Sequence, residues 1–105
     1  MHQLILCTCP DAGTADRLAA ALIAERLAAC VNILPGLKSV YEWQGVVETA
    51  QEHLLIIKSH QQRFAAVEAA IKKLHPYELP EIIALAIGNG SAEYLKWINS
   101  CLHID

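Results

Sequence analysis

The chain opens on a short apolar run, 3–9 (QLILCTC), closed by Pro10-Asp11. A run of this length ended by a turn signal predicts a buried strand. The period then turns helical. Over 14–28 (TADRLAAALIAERLA), Leu18, Leu22, Ile23 and Leu27 recur at helix spacing on an alanine-rich background with no Gly or Pro, and Asp11 or Thr14 stands ready as the cap. Residues 29–34 (ACVNIL) are β-prone, and Pro35-Gly36 predicts a bend or bulge. In 38–44 (KSVYEWQ) the side chains alternate, with Ser39, Tyr41 and Trp43 on one side and Val40, Glu42 and Gln44 on the other, and Gly45 marks a turn. The apolar run in 46–59 (VVETAQEHLLIIKS) returns the chain as a strand, so 29–59 reads as a long hairpin with a bulge.

A second helical period follows in 61–74, where Phe64, Val67, Ala70, Ile71 and Leu74 share one face expected to pack in the core. Pro76 disfavours helical geometry at His75, so the helix ends there. A fourth strand is predicted over 81–87 (EIIALAI), with Pro80 at its start. Ser91 caps a last short helix over 92–101, with Glu93 in its first turn where the helix dipole favours a negative charge. The order β-α-β-β-α-β-α is that of an α+β, ferredoxin-like βαββαβ sandwich with an extra C-terminal helix. Two helices cover one sheet face. The other needs a cover too, and in a single domain spanning 1–105 the cover expected is another subunit.

Composition sharpens this. The hydrophobic fraction is 54% and mean hydropathy is +0.31, high for one small domain, which also favours burial between subunits. Net charge is −3, and only Lys72 and Lys73 are adjacent among eight scattered Lys and Arg, so no nucleic-acid footprint is present. No apolar run reaches the ~18 residues of a membrane span. The stretch MHQLILCTCPDAG lacks the basic and apolar regions of a signal peptide, so a cytoplasmic location with reduced thiols is the expectation. The cysteines Cys7, Cys9, Cys30 and Cys101 match no zinc spacing, and Cys30 is expected in the core.

The segments LAACVNILPGLKSVYEWQG (27–45), LLIIKS (54–59) and HPYELPEI (75–82), with CTCPD (7–11) and YLKWI (94–98), resemble in order the divalent-cation-tolerance CutA family. That resemblance implies a compact homotrimer whose hairpin arms bridge subunits, similar in shape to PII-class signalling proteins. It implies a cytoplasmic protein of copper and divalent-metal tolerance, with no enzymatic reaction.

The resemblance also points to sites. Cys7 falls before the family's T-x-P, where some members carry a cysteine proposed to bind copper. Cys9 lies two residues on, so in a strand both thiols share a side, and thiolate suits Cu(I). Two core thiols under the first helix is the other reading. His75 matches the histidine of the family's H-P-Y. It is either a metal ligand or a helix-end residue donating to a backbone carbonyl. Leu74 stands where some members have a second histidine. Tyr41, Trp43, Lys58, Tyr77 and Glu78 are implied to lie near a cleft between subunits, which would hold a small anion or metabolite, unless they simply pack the interface. The acidic run that members often carry after Gly45 is reduced here to Glu48 and Glu52. The expected cargo is copper or another divalent metal, with no organic cofactor. The competing expectations are a PII-like regulatory trimer binding a small molecule, and a scaffold that anchors another protein.

Overall fold

The computed structural model describes residues 1–105. Its elements are β1 (His2–Cys9), α1 (Ala12–Ala24), β2 (Cys30–Trp43), β3 (Val46–His60), α2 (Phe64–Leu74), β4 (Ile83–Ala86) and α3 (Ala92–Leu102), with one 3-10 turn, Gln61–Arg63, leading into α2. The strands form one antiparallel sheet in the order β2-β3-β1-β4. This is the α+β arrangement expected from the hydrophobic pattern.

Strand alternation divides the sheet. Ile5 and Cys7 of β1 and Leu55 and Ile57 of β3 face α1 and α2, meeting Ala15, Leu18, Leu22, Val67 and Ile71 in one core. Each large side chain buried there contributes about 1.5–3 kcal/mol. The opposite face carries Leu34, Ile83 and Leu85, all substantially exposed.

The β2–β3 pairing slips between Leu34 and Leu37, where Gly36 adopts φ 79°, so the bulge falls where Pro35-Gly36 places it. Beyond it, Leu37–Trp43 pair with Val46–Glu52, while β1 pairs with β3 only from His53 onward. The outer half of the hairpin is therefore a two-stranded arm. Gln44 and Gly45, both at positive φ, make its two-residue turn.

Four expectations need correction. α1 stops at Ala24 rather than 28, because Arg26 takes the left-handed region (φ 57°) and the Leu27 and Arg26 N–H groups bond back to Leu22 and Ile23 carbonyls. Leu74 is 44% exposed, not core, because it lies on the last turn of α2 just before the chain departs at His75. Cys30 is half-buried on the uncovered sheet face, where Lys58 Nζ lies 3.7 Å from its sulfur. The fourth strand is shorter than 81–87, since only Ile83–Ala86 pair with β1.

Candidate functional site

Thr8 separates two groups of functional side chains. On the helix side, Cys7 and Cys9 have no exposed surface. The Cys7 thiol donates to the Thr8 carbonyl at 3.7 Å. The Cys9 thiol turns elsewhere, toward the Asp11 and His53 carbonyls at 3.8 and 3.9 Å. Burial, and then the proximity of Cys9, Glu81 and Glu52, pushes the Cys7 thiol up to about 12. Burial followed by Asp11 and Glu52 pushes the Cys9 thiol up to about 11, against the pull of its bond to Asp11.

His75 joins this group because Pro76 turns the chain out of α2 and leaves His75 extended (ψ 135°). Its imidazole folds back and is buried. Nε2–H donates to the Thr8 carbonyl at 2.8 Å and Nδ1 accepts the Tyr77 N–H at 3.1 Å, which fixes the tautomer. His75 makes the bond of a helix-end donor to a backbone carbonyl, and its Nε2 and the Cys7 sulfur address the same oxygen. No three His, Cys, Asp or Glu side chains are placed to share one metal ion.

On the other side of Thr8 lies a cleft of about 550 Å³. The arm supplies Tyr41 and Trp43, the segment after α2 supplies Tyr77 and Glu78, and the sheet supplies Thr8 and Glu52. Glu52 is 5% exposed, and its Oε2 accepts the Tyr77 hydroxyl at 2.8 Å. Burial first, and then this bond to Glu52, drives the Tyr77 phenol well above its ordinary range, so it stays a neutral donor. The His75 and Tyr77 rings lie 4.7 Å apart, which couples the two sides. Glu42 and Glu81 complete a lining with four carboxylates and no Lys, Arg or His.

Of the residues expected at a cleft, Tyr41, Trp43, Tyr77 and Glu78 come together. Lys58 does not. It lies six residues along β3 from Glu52, about 20 Å at the strand rise, and its ammonium bonds to Asn32 beside Cys30. Within one chain the cleft is therefore lined by carboxylates, without the lysine expected beside them. Sequence reasoning missed Thr8, Glu52 and Glu81. For Glu52 a signal existed: it shares strand parity with Leu54 and Ile56, so a carboxylate sits in an otherwise apolar register.

Residues 3–101 match the family model described as CutA1 divalent ion tolerance protein. The chain belongs to the CutA1 family. A family relative, the divalent-cation tolerance protein CutA of Thermus thermophilus, is 49% identical over 98 residues, covering 93% of this chain and 95% of its own. The solved CutA of Xylella fastidiosa superposes with a TM-score of 0.94 at 46% identity, covering 96% of this chain and 97% of that one. The Archaeoglobus fulgidus structure, titled a periplasmic divalent cation tolerance protein CutA, superposes with a TM-score of 0.95 at 40% identity over 97% and 99% of the two chains. The CutA1 relatives are named for tolerance of divalent cations and not as enzymes. No helix of this chain is long and apolar enough to cross a membrane.

Proposed function

We propose that this chain acts in divalent-metal tolerance as a cytoplasmic homotrimer that binds copper without catalysis. The observation that carries the copper reading is the approach of the Cys7 sulfur and the His75 Nε2 to one carbonyl oxygen, that of Thr8. A soft sulfur and an imidazole nitrogen from distant parts of the chain suit Cu(I), which accepts few ligands. Cys9 stands by as a further sulfur on the same strand face.

Binding there has a cost that shapes its behaviour. Binding there would displace a Cys7 thiol proton held up to about 12, and the proton on His75 Nε2 would shift to Nδ1, which would give up the Tyr77 N–H. Binding tightens as pH rises, because ligand deprotonation is linked to metal binding. The test is titration of the reduced protein with Cu(I) held by a competing chelator. Wild type is expected to outbind a Cys7→Ala/His75→Ala double variant by at least about tenfold. Equal affinity sinks the copper reading. Cell fractionation tests the compartment, since the Archaeoglobus fulgidus relative is titled periplasmic.

A further inference from the structure

The cleft beyond Thr8 has chemistry that copper binding leaves unused. Its lining holds four glutamates and no basic side chain. Glu52 is the deepest of them. It is nine-tenths buried, and its one hydrogen bond in the chain is from a neutral phenol. No cation pairs with it, because the chain's single ion pair is Lys72–Glu68 on the surface of α2. Thr8, 8% exposed, also lines the cleft, and its hydroxyl has no partner within the chain. Both residues line the cleft, and neither the second Glu52 oxygen nor the Thr8 hydroxyl is bonded within the chain, so each is open to a donor held there.

We propose that this cleft binds a small organic primary ammonium compound. Three observations choose that class over a bare metal ion. About 550 Å³ matches small-molecule sites and far exceeds one ion. No three potential ligands converge on one point. The remaining wall is aromatic, with Tyr41 and Trp43 able to face a cation, and Leu79 able to cover an apolar body. A quaternary ammonium fits less well, since it offers neither Thr8 nor Glu52 a proton. The Tyr77 bond fixes one Glu52 oxygen and leaves the other for the ligand.

This proposal does not rest on copper binding at Cys7 and His75, and its test excludes metal. The full chain is titrated in EDTA with cyclohexylammonium, cyclohexanol and trimethylcyclohexylammonium. The readouts are the Trp43 indole and Thr8 amide resonances. The expected result is saturable shifts with cyclohexylammonium, at least about tenfold weaker effects with both controls, and loss of binding in Glu52→Gln. Thr8→Val serves as a second variant: it leaves the carboxylate in place and is expected to weaken binding severalfold, and thermal melts confirm that each variant is folded. Equal responses to the amine and to cyclohexanol overturn the proposal. So does a structure in which a lysine of a second copy fills the cleft and no added amine binds.

Discussion

Cys7 has no exposed surface, and burial holds its thiol up to about 12 against an ordinary value of 9.0. The folded chain therefore keeps a proton that the unfolded chain releases near pH 9. Stability from Cys7 is present in full below that pH and is lost as pH rises toward 12. At about 1.4 kcal/mol per unit, the shift sets an upper bound of about 4 kcal/mol on the loss. Urea unfolding is expected to show a midpoint falling between pH 9 and 11, with the Cys7→Ala variant flatter over the same range. Equal slopes for both would show that the thiol does not titrate on unfolding. Single residues were unevenly legible in the sequence. Cys7, Cys9 and His75 stood out by type, and the two readings left open for each differ only in whether the polar atoms are occupied. Those partners come from elements far apart in sequence, such as Thr8 for His75, and residue type alone does not reveal them.

At the scale of elements, hydrophobic period was enough to locate every strand and helix, and errors fell at their ends. The clearest is α1. Its alanine- and leucine-rich pattern runs on to 28 with no glycine to stop it, yet Arg26 at φ 57° ends the helix in a reverse-bonded turn normally given to glycine. A non-glycine residue in the left-handed region costs about 1–2 kcal/mol. Arg26 keeps one compensation, a bond from its guanidinium to the Cys101 carbonyl at 3.3 Å that ties α1 to α3. Arg26→Gly is expected to raise stability by less than about 1 kcal/mol, the strain relief less glycine's entropy, reduced further by the lost bond. Arg26→Ala loses the bond and keeps the strain, so it is expected to destabilise. Chemical denaturation of both variants decides this, and a less stable Gly variant would place the guanidinium bond above the strain. α3 ends in the same way at His103 (φ 56°), again without glycine, but Leu102 there falls within one residue of the expected end.

At the scale of the molecule, the cleft was the least legible feature, because it is made by a long-range meeting of arm, sheet and the segment after α2. The arm also carries the strongest argument about assembly. Its seven-residue strands reach about 24 Å past the third strand that would support them. A two-stranded ribbon is marginal in water alone. The radius of gyration, 14.2 Å, exceeds the roughly 13 Å of a compact chain this long, and the accessible surface of 6351 Å² exceeds the roughly 5,800 Å² expected for its mass. The excess surface is apolar in part: Val47 is 72% exposed and Val40 is 64% exposed, while only 19 of 105 residues are buried. An arm of this kind is stabilised when another copy covers it, as in the homotrimer proposed above. Light scattering is expected to give about three times the chain mass for the wild type. Val40→Glu/Val47→Glu places a carboxylate on each strand of the arm, and like charges against an apolar partner surface oppose association. The double variant is expected to fall toward single-chain mass and to melt at lower temperature, with the loss growing on dilution because folding and assembly are linked by mass action. A variant that keeps the wild-type mass would place the subunit contact away from these arm positions.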